Sequence, residues 1–220
     1  MFKPLSFFAV MALSLISANV FATWSIIAVD RETGEIGIAG ASCTFDVQGI
    51  ASVVPGRGAI VLQAASNYFA RMKGVDVMEE GASAGRVLAA MRDEKFEPEK
   101  QQYGVVTLPE NQAPQVYSGS MIKDWYGPKT DKDFAVLGNI LMDESVLEQS
   151  FEVFNNIRHQ PLARRLMLSL SAGAEAGRDS RCADQKARSA FLSVFDPNTG
   201  AIDKLSIHGL APGGQPAVKL

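Results

Sequence analysis

A threonine that begins a chain carries a nucleophile and a base on one residue, and Thr23 is placed to do so. A threonine hydroxyl attacks poorly until something takes its proton. A terminal α-amine, with a reference pKa of about 7.7–8.0, can take that proton near neutral pH without a histidine. The residues ahead of Thr23 have the pattern of a cleavable export signal. Lys3 is the only charge before Asp30, an apolar run extends from Leu5 to about Ala18, and Val20 and Ala22 suit the small pockets of a signal peptidase. That run is short of the roughly 20 residues of a spanning helix, so a removed signal is expected rather than an anchor. No cysteine near the cut offers a lipid attachment point. The expected organisation is a signal peptide over 1–22 and a single domain over 23–220. Against the catalytic reading, exported proteins often begin with Ser, Thr or Ala for no chemical reason. The first position of a buried strand favours it, because that fixes amine and hydroxyl rigidly.

Other residues offer less. The two histidines, His159 and His208, sit by element ends and make no metal-spaced cluster, so they read as surface or capping residues, and neither metal nor cofactor is expected. Cys43 and Cys182 lack the local signature of a cysteine hydrolase. In an exported protein they can pair, closing a loop of about 140 residues worth roughly 4–5 kcal/mol in the chain-entropy model; the alternative is two separate buried thiols. Gly56-Arg-Gly58 is too short for a phosphate loop, and the carboxylates show no glycosidase pairing. The segment Gly177-Arg-Asp-Ser-Arg-Cys182 is dense in chemistry. Asp179 and Arg181 can pair with each other, or Arg181 can hold a substrate carboxylate or carbonyl by its planar guanidinium.

These groups need a frame. The run 24–30 and the small, apolar run 35–42 read as strands around a Gly-ended turn at 31–34. The second lacks polar alternation, which marks a strand covered on both faces. Strands at 50–54 and 58–64 follow, then helices at 67–76 and 83–92, with Ser83 as N-cap. A hairpin spans 103–108 and 115–119, and 121–133 reads as a polar, turn-rich connection. Phe134 to Asn139 is a short buried strand. Asp143 caps a helix to about 156, Pro161 opens another to about 176, and 187–196 with 201–208 form a closing hairpin. The Pro- and Gly-rich tail 211–220 reads as surface. Strands, two helices, strands, two helices and strands predict an α+β fold with two mainly antiparallel sheets between helical layers; periodicity alone leaves a simpler α+β sandwich open.

The 220 residues carry a net charge of −3. Scattered, mildly acidic charge leaves no footprint for nucleic acid, and beyond the signal no segment is apolar enough to hold the chain in a membrane. A periplasmic or secreted protein is expected, and a homo-oligomer is compatible with the sequence.

Thr23-Trp-Ser-Ile-Ile-Ala-Val-Asp30, followed by Thr33-Gly-Glu-Ile-Gly-Ile-Ala-Gly-Ala-Ser42, resembles the opening of the bacterial family called domain of unknown function 1028. The resemblance continues in order through Val54-Pro-Gly-Arg-Gly-Ala59, Gln63-Ala-Ala-Ser-Asn67, Gly81-Ala-Ser-Ala84, Val136-Leu-Gly-Asn139, Asp179-Ser-Arg181 and Ser189-Ala-Phe-Leu192. It implies membership of the N-terminal-nucleophile (Ntn) hydrolases, with a four-layer αββα sandwich and the nucleophile at the tip of the first strand. By matching position it implies that Ser42, Asn67, Asn139, Asp179 and Arg181 surround Thr23. Asn67 and Asn139 would then contact the oxyanion or a substrate amide, and Ser42, Asp179 and Arg181 would bind and orient substrate. After Arg181 the sequence departs from the commoner pattern. Its longer connection with Cys182 suits a disulfide-bearing exported subgroup and leaves the role of Gln185 open. The resulting expectation is a hydrolase of a small amide or peptide. The rival is an exported binding or surface-assembly protein that keeps the fold without the chemistry.

Overall fold

Residues 23–109, 112–177, 182, 185–211 and 214 are described by a computed structural model. The expected signal over 1–22, most of the tail, and Asp179 and Arg181 lie outside the described residues. Strands β1 (Thr23–Val29) and β2 (Ile36–Ser42) are buried along their whole length, as their small and apolar residues require. The turn between them closes at Gly34, whose φ of 80° lies in the left-handed region that glycine enters without a steric penalty.

Strands β3 (Ala51–Val54) and β4 (Gly58–Ala64) form the next hairpin. Helices α1 (Tyr68–Glu79) and α2 (Ala84–Met91) follow, each started by a side chain that satisfies an orphan backbone donor. Asn67 Oδ1 accepts from Ala70 N at 3.1 Å, and Ser83 Oγ accepts from Arg86 N at 3.4 Å. Next come β5 (Gln101–Thr107), β6 (Gln115–Ser118), β7 (Trp125–Thr130) and β8 (Phe134–Leu141). Helices α3 (Ser145–Asn156) and α4 (Leu162–Ala176) precede the final hairpin, β9 (Ser189–Asp196) and β10 (Ala201–Ile207). Asp143 Oδ1 accepts from Ser145 N at 2.9 Å at the start of α3.

The strands make two antiparallel sheets, ordered β10-β9-β2-β1-β8-β7 and β3-β4-β5-β6. Successive side chains of a strand point to opposite faces, and β1 shows the consequence. Trp24, Ile26 and Ala28 pack with Leu147, Leu166 and Leu170 under α3 and α4, whereas Ile27 and Val29 pack between the sheets with Ile38, Val61, Leu137 and Phe191. Beyond the second sheet, Ile60, Leu62 and Tyr103 pack with Val87 and Met91 of α2 and Ala70 and Met78 of α1. The result is the expected four-layer αββα sandwich. Gly104 lets the sheets approach, since a Cβ there would lie 2.9 Å from Leu137 Cδ1 and 3.0 Å from Ile27 Cδ1.

One element departs from the sequence reading. Trp125–Thr130, within the segment read as a turn-rich connection, is an edge strand paired with β8. Its Gly127-Pro128 step resembles turn chemistry, but an edge strand tolerates proline, whose missing N–H removes nothing from the ladder when that side faces solvent. Cys43 and Cys182 form a disulfide with Cα atoms 5.6 Å apart, tying the end of β2 to the segment before β9. Among the described residues no helix is long and apolar enough to cross a membrane.

Candidate active site

Thr23 opens β1, and the ladders set it beside Ser42 of β2 and Asn139 of β8; Ser42 in turn lies beside Ser189 of β9. Directly opposed residues of antiparallel strands share a face, so Asn139, Thr23, Ser42 and Ser189 form a polar row across one end of the six-stranded sheet. Strand alternation aims it at the second sheet, because Leu137, Ile27, Ile38 and Phe191 on the same side belong to the inter-sheet core. Facing it, the other sheet carries a row of its own, Gln63, Gln102 and Ser118, again set by register.

Hydrogen bonds join the two rows. Thr23 Oγ1 donates to Ser42 Oγ at 3.2 Å. Gln63 Nε2 donates to Gln102 Oε1 at 2.7 Å and to the Thr23 carbonyl at 3.4 Å, while Gln63 Oε1 accepts from Ser25 Oγ at 2.8 Å. Asn139 Nδ2 reaches Gln102 Oε1 at 3.4 Å, and Gln102 Nε2 donates to Ser118 Oγ at 2.9 Å. Thr23, Ser25, Ser42, Gln63, Gln102, Asn139 and Ser189 are all buried. Buried polar atoms are nearly always paired, yet among the described residues Asn139 Oδ1 and Ser189 Oγ have no hydrogen-bond partner. Both lie in the row that holds Thr23.

A cavity of about 620 Å³ opens at this end of the sandwich. Thr23, Thr44, Ser66 and Arg188 give it polar wall, and Phe45, Val47, Ile50 and Ala64 give it apolar wall. Two of its residues hold left-handed backbone without being glycine, Ala64 at φ 69° and Ser66 at φ 44°. Ile140, immediately after Asn139, does the same at φ 55°. A β-branched residue there is rare, and such strain costs about 1–3 kcal/mol at each position. Of the five non-glycine residues with positive φ among the described residues, three thus lie at the Thr23 end of the fold. Strain of this kind gathers where a chain must hold functional groups in place.

Among the described residues that line it, the cavity has two charged side chains, Asp46 and Arg188. Asp46 is engaged, since its Oδ1 accepts from Gln48 N at 2.8 Å and lies 3.3 Å from His208 Nδ1. Arg188 has no acidic partner among the described residues. Its Nε reaches the Leu210 carbonyl at 3.5 Å, and its backbone N–H donates to the Ser42 carbonyl at 2.8 Å.

Of the residues expected around Thr23, Ser42 and Asn139 stand directly beside it. Asn67 follows the cavity residue Ser66 but does not line the cavity; its Oδ1 caps α1 and its N–H donates to Gln101 Oε1 at 2.9 Å. Cys43 lines the cavity wall. Gln185 turns away, its amide donating to the carbonyls of Ala211 and Gly214 at 3.0 Å each, so it holds the C-terminal segment. Both histidines are exposed, and the described residues contain no cluster of three or more metal-ligating side chains. The sequence reading passed over Gln63, Gln102 and Arg188. The available signal was Gln63 inside the otherwise apolar β4 and the Gln101-Gln102 pair at the start of β5, since a buried polar residue is more informative than a buried apolar one.

The comparisons with known proteins fit this architecture. Protein SPO2555 from Silicibacter pomeroyi, a DUF1028 protein of known crystal structure, superposes with a TM-score of 0.75 at 25% sequence identity, covering 90% of this chain and 85% of its own. No curated protein matches the sequence. The model of the Family of unknown function (DUF1028) matches residues 23–209, beginning at the residue that opens β1. This chain therefore belongs to the DUF1028 family.

Proposed function

We propose that the protein is an exported amidohydrolase of the N-terminal-nucleophile type, cleaving a small amide or peptide through Thr23. In this reading removal of residues 1–22 exposes the α-amine of Thr23. The amine takes the Oγ1 proton as Oγ1 attacks the substrate carbonyl. It returns that proton to the leaving nitrogen, the C–N bond breaks, and an ester on Thr23 remains. Water then attacks the ester, giving its proton through the same amine to Oγ1, and the carboxylic acid leaves.

The observation that carries the reading is the placement of Thr23. It begins a fully buried strand, its Oγ1 lies 3.2 Å from Ser42 Oγ, and it forms part of a cavity wall. Ser42 would fix the rotamer of the attacking hydroxyl. Asn139 Nδ2 would supply an amide donor for the developing oxyanion, joined by Asn67 only if its Nδ2, the atom that α1 does not hold, turns toward the cavity that its neighbour Ser66 lines. Such donors work best when preorganised in a site that excludes water. Asp179 and Arg181 keep their proposed role in orienting substrate. The disulfide accords with an oxidising compartment, periplasmic or extracellular.

Turnover of an amide library by the exported protein, set beside Thr23→Ala, tests the reading. Thr23→Ala is expected to remove all turnover while its thermal unfolding stays cooperative. Unchanged turnover in that variant refutes the nucleophile, and a wild-type protein that binds amides without cleaving them favours the binding-protein alternative.

A further inference from the structure

The cavity beside Thr23 has one positive charge that the described residues leave unneutralised. Asp46, the other charged residue, is held by its own turn and by His208. Among the described residues the Arg188 guanidinium makes only the long contact from Nε to the Leu210 carbonyl, and neither terminal nitrogen has a hydrogen-bond partner there. Guanidinium groups bind carboxylates through two parallel hydrogen bonds, and the fork is already planar before a ligand arrives. The backbone fixes where this side chain is rooted. Arg188 N donates to the Ser42 carbonyl at 2.8 Å, its carbonyl accepts from Leu210 N at 2.8 Å, and the next residue, Ser189, begins β9 in register with Ser42. Arg188 is therefore tied on both sides, one strand away from Thr23.

The remaining wall supplies the second part of the specificity. Phe45, Val47, Ile50 and Ala64 are apolar. A volume of about 620 Å³ is the size of a small-molecule site rather than a groove for a folded protein.

We propose that Arg188 selects the substrate: the site takes small amides that bear a free carboxylate and an apolar group, the chemistry of N-acyl amino acids. Arg188 pairs with the carboxylate, the apolar group lies against Phe45, Val47 and Ile50, and the scissile amide is left at Thr23. This rests on the hydrolase reading for turnover but not for binding.

The experiment uses a panel of N-acetylated amino acids and their matched carboxamides, near-isosteres in which a neutral amide replaces the charged acceptor. Turnover is measured with the exported protein, and binding by calorimetry with Thr23→Ala. The carboxylate member of each apolar pair is expected to be preferred about 10- to 100-fold, the range for a hydrogen-bonded charge. Arg188→Gln should bring that ratio close to one, and Arg188→Lys should restore part of it. A preference for the carboxamide, a ratio that survives Arg188→Gln, or no binding of any carboxylate overturns the proposal. Carboxylate-selective binding to Thr23→Ala without turnover by wild type would sustain Arg188 and sink the hydrolase reading, so the two failures are separable.

Discussion

Gln63 is the hinge of the polar contact between the sheets, and replacing it by leucine has a magnitude that follows from its bonds. The side chain is wholly buried, receives the Ser25 hydroxyl at 2.8 Å and gives its amide to Gln102 Oε1 at 2.7 Å. Leucine leaves both partners without Gln63 in a site closed to water. An unsatisfied buried group costs about 1–3 kcal/mol, and the apolar surface of leucine offsets part of two such losses. Gln63→Leu is therefore expected to lower stability by about 2–4 kcal/mol. Ser25→Ala alone strands only Gln63 Oε1 and should cost about 1–2 kcal/mol. With both substitutions the stranded serine is gone, so the double variant should be about 1 kcal/mol or more less destabilised than the sum of the singles. Urea unfolding of the four proteins at one pH measures the cycle. A Gln63→Leu protein within about 0.5 kcal/mol of wild type, or a cycle that adds without coupling, would refute the view that these bonds hold the two rows together.

Two further outcomes follow from the same structure. Replacing Cys43 and Cys182 together by alanine opens a loop of 139 residues and should lower stability by up to about 5 kcal/mol on the chain-entropy account; a change below about 1 kcal/mol would mean that the unlinked chain already holds these ends together. Glu99 accepts from the Tyr117 hydroxyl, from Ser120 N at 2.8 Å and from Ser120 Oγ at 2.7 Å, bonds that hold its carboxyl down at about 2. A depressed folded-state pKa gives stability that is complete above the ordinary value of 4.5 and is lost as pH falls toward 2. Urea midpoints should therefore fall more steeply across that window for wild type than for Glu99→Gln, and parallel curves would count against the assignment.

The fold was legible where local pattern and tertiary need agree. Ile36 to Ala41 is small or apolar throughout because it lies between two layers, and the hairpins at 31–34, 55–58 and 197–200 declare themselves by turn chemistry. Trp125–Thr130 was missed because its identity as a strand comes from pairing with β8, while Gly127-Pro128 speaks locally for a turn. The site divides in the same way. Ser42 and Asn139 are beside Thr23 because β1 pairs with β2 and β8 from its first residue, and the position-matched blocks contained both. Gln63 and Gln102 approach Thr23 from the other sheet, and no spacing along the chain encodes which sheet faces which. Asn67 illustrates a residue with two claims on it: its side chain starts α1 whatever else it does. Arg188 falls at the start of the run 187–196 that reads as a hairpin strand, and its lack of an acidic partner among the described residues exists only in the folded chain.

The central claim is that Thr23 is the terminal nucleophile, and mapping a covalent adduct tests it most directly. Exported protein treated with a β-lactone, whose ring C–O bond opens so that the whole molecule stays on such a nucleophile as an ester, is digested and sequenced by tandem mass spectrometry. The account predicts a mature chain beginning at Thr23 with a single acyl group on its Oγ1, and no adduct on Thr23→Ala. A mature chain that begins elsewhere, or an adduct on another residue with Thr23 unmodified, would contradict it.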